Sequence, residues 1–141
     1  MVTVEKIMNR HVITIDSGAS VLEAAQLMAD NHIGCVVATK NGSPAGILTE
    51  RDVLVLVASE TNVKKTKIES VMTHYLITTG PHRSIEKAIE IMVFNKIKKL
   101  PVVDEKGRLV GIITASDIIS AKPHAAKKMK HMLSLNFFRK K

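Results

Sequence analysis

Gly46-Ile47-Leu48-Thr49-Glu50-Arg51-Asp52 and Gly111-Ile112-Ile113-Thr114-Ala115-Ser116-Asp117 are the two stretches that decide the fold. Each runs from a glycine through an apolar pair to a hydroxyl, with a carboxylate three residues further on. That order predicts a strand turning into a helix, with Thr at the N-cap and Asp at N3. Working outward, the surroundings also match, which is the mark of a tandem repeat. Shifted by 64 positions, Val4 to Ile33 falls on Ile68 to Ile97, and nine of the thirty pairs are identical. Met8 with Met72, Thr14 with Thr78 and Ser20 with Ser84 are among them. One extra residue is placed near Lys98, after which an offset of 65 brings Gly42, Thr49 and Asp52 onto Gly107, Thr114 and Asp117.

Both copies read as β-α-β-β-α. A β-rich segment (His11 to Ile15; Tyr75 to Thr79) ends in turn residues, Asp16-Ser17-Gly18 or Gly80-Pro81. Ser20, with Glu23 three places on, forms a capping box, and Ser84 repeats the cap although Lys87 replaces the glutamate. Apolar residues at helical spacing follow: Val21, Ala24, Ala25 and Met28, then Ile85, Ala88, Ile89 and Met92. Cys35 to Ala38 and Leu100 to Val103 read as strands, with turns at Asn41 to Pro44 and Asp104 to Gly107. Returning strands (Ala45 to Leu48; Leu109 to Ile113) lead into helices starting near Thr49 and Thr114. The organisation expected is repeat one over 1–58, a polar linker over 59–67, repeat two over 68–121 and a basic tail over 122–141. A unit of roughly 55 residues is marginal alone, so the expected architecture is α/β (α+β in some schemes). Its two repeats pack through their sheets with pseudo-two-fold symmetry.

The 141 residues are 45% apolar, enough for one ordinary domain with a real core. A single cysteine, Cys35, excludes a disulfide scaffold and suits a reducing compartment. No run approaches a membrane span and no signal-peptide pattern opens the chain, so the expected location is the cytoplasm. The net charge of +8 is unevenly spread. Up to Asp117 there are 14 basic against 13 acidic residues, whereas the last 24 residues carry seven basic groups and no acid.

No enzyme constellation emerges. The six histidines lack metal-ligand spacing, and neither GxGxxG nor GxxxxGK[ST] occurs. Cys35, in an apolar run, reads as a buried structural thiol, and His32 and His74 read as surface or cap residues. The two closing motifs carry two readings on their residues alone. Thr and Asp at that spacing make a capping pair, and the same hydroxyl and carboxylate at a helix start suit phosphate and ribose.

Two such units, each ending in G-h-h-T-x-x-D (h apolar), together with Leu100-Pro101-Val102-Val103-Asp104, resemble a tandem pair of CBS domains, named after cystathionine β-synthase. The resemblance covers about Val4 to Ser120. It implies a non-catalytic regulatory module with two related clefts between the repeats, binding an adenosine derivative such as AMP, ADP, ATP or S-adenosylmethionine, and a homodimer stacked through its helices. Carried over by position, it implies Asp52 and Asp117 on ribose hydroxyls and Thr49 and Thr114 towards ribose or phosphate. Arg51 and Ser116 would reach phosphate, and Ile13-Thr14, Ile77-Thr78 and Leu100-Pro101 would wall the adenine. Lys98 and Lys99 precede the LPV segment, where family members often hold a basic residue facing phosphate; the plain alternative is a solvated charge pair. Copy one has Cys35-Val36-Val37-Ala38-Thr39 opposite Leu-Pro-Val-Val-Asp, and Gly34 near the lysines. The two clefts are therefore expected to differ, one standing empty or holding another ligand.

Pro123 ends the last helix near Ala121. Beyond it, Met129, Met132, Leu133 and Phe137 recur at helical spacing. Three readings of this tail stand: a helix laid on the globule or a second subunit, disorder, or a basic surface. In the last, Lys127, Lys128, Lys130, Arg139, Lys140 and Lys141 would contact nucleic acid, an anionic membrane or a protein partner.

Overall fold

The computed structural model describes residues 1–74, 76–124, 127 and 129. Among them the order is α1 (Val4–Ile7), β1 (Thr14–Asp16), α2 (Val21–Asn31), β2 (Cys35–Lys40), β3 (Ser43–Thr49), α3 (Glu50–Ala58), a 3-10 turn (Ile68–Ser70), α4 (Ile85–Asn95), β4 (Lys99–Val103), β5 (Leu109–Thr114) and α5 (Ala115–Ala121). β1 lies parallel to β2, and β2 antiparallel to β3; β4 and β5 form a second, antiparallel pair. This is the mixed α and β architecture expected, with both closing helices starting at the predicted threonines.

The chain divides into two compact units. The first is Val12–Leu76, and the second joins Met1–His11 to the residues from Ile77 onward. Each copy's leading segment thus serves the other copy. In the second unit Val4 N–H donates to the Arg83 carbonyl (2.9 Å), Glu5 N–H to that of Pro81 (2.9 Å) and Ile85 N–H to that of Val2 (3.2 Å). The first unit repeats the set 64 residues out of phase: Ile68 N–H to Ala19 (2.9 Å), Glu69 N–H to Ser17 (3.0 Å) and Val21 N–H to Thr66 (2.9 Å). Val21 and Ile85 open α2 and α4, so these arms satisfy helix N–H groups that would otherwise lack partners. The segment 59–67 is fastened by the same means, since Leu22 N–H also donates to the Val63 carbonyl at 3.0 Å.

The duplicated glycines follow from the arms. A Cβ on Gly46 would stand 2.6 Å from both Met72 Sδ and the Thr73 carbonyl, and one on Gly111 would stand 2.5 Å from Met8 Sδ and 3.0 Å from the Asn9 carbonyl. Each core is apolar. Val21, Ala24, Met28, Val36, Ala38, Leu48 and Ile68 fill the first, and Val4, Ile85, Ala88, Met92, Leu100, Val102, Ile113 and Ile118 the second. Capping proceeds as the residues dictate. Glu23 N–H donates to Ser20 Oγ (3.0 Å) while Ser20 N–H donates to Glu23 Oε2 (2.9 Å). At Ser84 only the first of these bonds has a counterpart, from Lys87 N–H at 3.1 Å.

Two expectations need correction. The segment Tyr75 to Thr79 is not a strand: Tyr75 lies outside the described residues, and the rest holds one parallel bridge, Thr79 with Val102. In the first unit the ladder continues past β1 through Ser17 N–H, which donates to the Thr39 carbonyl at 2.8 Å. The counterpart of Ser17 is Pro81, which has no N–H to give. The extra residue of copy two is also not near Lys98. Strand register pairs Cys35 with Thr49 and Lys99 with Thr114, so the offset is still 64 on β4. The insertion sits in the hairpin turn, where Thr39 pairs Pro44 but Val103 pairs Leu109. The shorter turn is Asn41-Gly42, both at positive φ (53° and 81°). The longer one is held by Asp104, whose carboxylate accepts from Lys106 N–H, Arg108 N–H (both 2.9 Å) and Arg108 Nε (2.8 Å).

Candidate functional site

The site residues gather around two matching junctions, one per unit. At the first, Asp52 N–H donates to Thr49 Oγ1 (3.1 Å) and Thr49 N–H donates to Asp52 Oδ2 (2.9 Å). At the second, Asp117 N–H donates to Thr114 Oγ1 (3.1 Å) and Thr114 N–H donates to Asp117 Oδ2 (3.0 Å). Strand-to-helix geometry is locked the same way behind each, by Glu50 N–H on the Gly34 carbonyl (2.9 Å) and Ala115 N–H on that of Lys98 (2.8 Å). Both capping boxes are therefore real, and they do not exhaust the groups involved. Each threonine oxygen accepts within its box, so its hydroxyl hydrogen can donate elsewhere. Each carboxylate commits Oδ2 to the box, leaving Oδ1 outside it as a pure acceptor, the group that sugar hydroxyls need. All four residues are half-buried. α5 is only seven residues long. Ligand chemistry here therefore rests on these side chains rather than on a helix dipole.

Strand alternation sorts the remaining candidates. Val36, Ala38 and Leu48 point into the first core and Leu100, Val102 and Ile113 into the second. The opposite faces carry Cys35, Val37 and Thr49 in one unit and Lys99, Pro101 and Thr114 in the other. Thr14 pairs Val37. Leu100 is fully buried in the core, so only its backbone lies near Thr114, and Ile13 and Ile77 pack against the cores as well. Thr78 and Lys99 are half-buried and Pro101 is buried, whereas Arg51, Lys98 and Ser116 are exposed. His32 is exposed and ends α2 in the left-handed conformation (φ 54°), the cap role expected of it. Cys35 is half-buried rather than buried. Its place beside the capping Thr49 is the feature that reading by sequence misses, because the misplaced insertion set it against Leu100 instead of Lys99.

Asp104, the carboxylate of the LPVVD segment, belongs to the hairpin. The Arg108 N–H hydrogen bond, chiefly, holds its carboxyl below the usual range. Among the described residues no group of three or more His, Cys, Asp and Glu side chains could hold a metal ion. Of the tail, Lys127 is exposed and Met129 is fully buried in the second core. Lys128, Lys130, Met132, Leu133, Phe137, Arg139, Lys140 and Lys141 lie outside the described residues. Among those described, no helix is long and apolar enough to cross a membrane.

A strand-to-helix junction closed by a Thr–Asp capping box, present once in each copy, defines a two-repeat module. The CBS domain pattern matches residues 4–59 and 68–124, and the chain belongs to the CBS domain family as a tandem pair, a class of regulatory modules. It is 34% identical over 125 residues to the MK0525 protein of Methanopyrus kandleri, covering 87% of this chain and 64% of that one. It is 39% identical over 116 residues to inosine-5′-monophosphate dehydrogenase of Thermoplasma acidophilum, spanning 82% of this chain but only 23% of the enzyme. The CBS domain pair of MJ0100, solved in complex with 5′-methylthioadenosine and S-adenosyl-L-methionine, superposes with a TM-score of 0.80 at 29% identity over 88% of this chain and 98% of that one.

Proposed function

We propose that this chain is a non-catalytic sensor that binds an adenosine-containing metabolite (AMP, ADP, ATP or a relative) at Thr49–Asp52 and Thr114–Asp117. The carrying observation is that both boxes keep an acceptor oxygen and a donor hydroxyl outside their own bonding, on half-buried residues. Asp52 and Asp117 would accept from ribose hydroxyls, and Thr49 and Thr114 would donate to ribose or phosphate. Arg51, Lys98, Lys99 and Ser116 would complete the polar side, with Thr14, Thr78, Pro101 and the backbone of Ile13, Ile77 and Leu100 against the base. The adenosine ligands of the MJ0100 pair support the ligand class. Binding would bias the arrangement of the repeats and so change what a regulated protein meets.

A second copy of the chain is the proposed first partner. α3 exposes Leu54 (63%), Val55 (43%) and Val57 (56%), and a groove of about 400 Å³ runs beside it, lined by apolar residues such as Met28, Ile33 and Val53 and by the polar His32 and Glu50. Nucleic acid binding through the basic tail is the alternative function, with the pair as dimeriser or switch. Deleting residues 130–141, which spares the buried Met129, would weaken that activity and leave nucleotide binding intact. The direct test is a thermal-shift screen across adenine-containing metabolites. Stabilisation by at least one is expected, and an unmoved melting point across all of them would overturn the proposal.

A further inference from the structure

The two junctions are superimposable in bonding but not in charge. Thr49 is paired across the hairpin with Cys35, and Thr114 with Lys99. Residues directly opposite in an antiparallel pair share a face, with Cβ atoms about 5 Å apart. Lys99 therefore projects on the same face as Thr114, and Cys35 on the same face as Thr49. The lysine is half-buried, which strengthens its interaction with an anion relative to a fully solvated ammonium. The first junction presents a thiol of similar burial, uncharged in its protonated form. The first unit's nearest cation in sequence is Arg51, which is exposed and stands on the helix rather than on the strand face.

From this we infer that the two sites take different members of one ligand class, which rests on the adenosine reading above. The Lys99–Thr114–Asp117 site takes adenosine bearing a 5′-phosphate. The Cys35–Thr49–Asp52 site takes adenosine whose 5′ substituent carries no negative charge, such as a free hydroxyl or a thioether. Cys35 and Lys99 act as the specificity-determining pair, and the remainder of each junction is common.

The experiment is calorimetric titration of the full chain with AMP and, separately, with adenosine. AMP is expected to fill one tight site per chain. Lys99→Met, which keeps the unbranched stem and removes the charged end, is expected to weaken AMP about tenfold or more and to leave adenosine unchanged, as loss of one charge-assisted contact requires. Cys35→Lys is expected to create a second AMP site. Two equal AMP sites in the unaltered chain, or AMP affinity indifferent to Lys99→Met, would overturn the inference while leaving the adenosine reading in place. Failure of both AMP and adenosine to bind the unaltered chain would remove that reading and this one together. Melting curves of each variant separate a lost contact from a lost fold.

Discussion

Gly46 and Gly111 sit where the backbone of a neighbouring arm leaves no room for a methyl group. A Cβ at Gly46 would meet the Thr73 carbonyl at 2.6 Å, and a carbonyl cannot swing aside as a side chain can. Gly46→Ala is therefore expected to cost about 1–3 kcal/mol, read by chemical denaturation; an unchanged midpoint would contradict the packing described. Thr79 presents the opposite case. It is 5% exposed and its Oγ1 makes no hydrogen bond among the described residues, while the matching residue of the other copy is Ile15. Replacing an unsatisfied buried hydroxyl by an isosteric methyl removes a desolvation cost, so Thr79→Val is expected to stabilise by about 1 kcal/mol. A loss of stability would mean that the hydroxyl has a partner after all. Met129, fully buried in the second core, is expected to cost about 2–4 kcal/mol when truncated to Ala.

At the scale of elements, the Ser20–Glu23 box governs how α2 responds to acid. Hydrogen bonds from Ser20, the backbone N–H first and the hydroxyl second, lower the Glu23 pKa against a small opposing effect of burial. A carboxyl lowered in the folded state contributes stability that is present above its ordinary range and is lost as pH falls through the lowered value. Glu23→Gln is expected to flatten the acid side of the stability–pH curve and to change little near neutrality beyond the cap itself. Ser20, Ser84, Thr49 and Thr114 announce their helices because caps are local chemistry, settled within three residues. The same locality explains the helix stripes and the Asn41-Gly42 turn. What was not legible was relational. No local pattern shows that residues 1–11 fold with the second copy, that Pro81 deprives a ladder of its donor, or that the inserted residue lies in a turn. That last error hid the equivalence of Cys35 and Lys99, because a one-residue slip exchanges the two faces of a strand. The carboxylates at 52 and 117 were legible as both caps and ligands; the structure shows the caps, with Oδ2 as the accepting atom, and the ligand role is the one proposed above.

For the molecule as a whole, each leading arm stabilises the other copy's elements, so damage should appear away from the repeat that is cut. Removing residues 1–11 strips the Val4, Glu5 and Ile85 hydrogen bonds of the second unit. Hydrogen exchange is expected to show α4 and β5 losing protection while α2 and β3 keep theirs; uniform loss would contradict the arrangement. The exposed α3 face gives a second test at this scale. For the proposed dimer, Leu54→Glu is expected to give a monomer in sedimentation without loss of helicity, and a sedimentation coefficient equal to that of the unaltered chain would rule this face out as its contact.

Calorimetric titration of AMP against the unaltered chain and against the Asp52→Ala/Asp117→Ala double variant bears most directly on what this protein does. If the two carboxylates hold ribose, AMP binds the unaltered chain and the double variant loses most of that affinity. Their loss as caps costs roughly 1 kcal/mol each, which melting curves record separately. Retained AMP affinity in a folded double variant would show that the capping boxes are structural and nothing more.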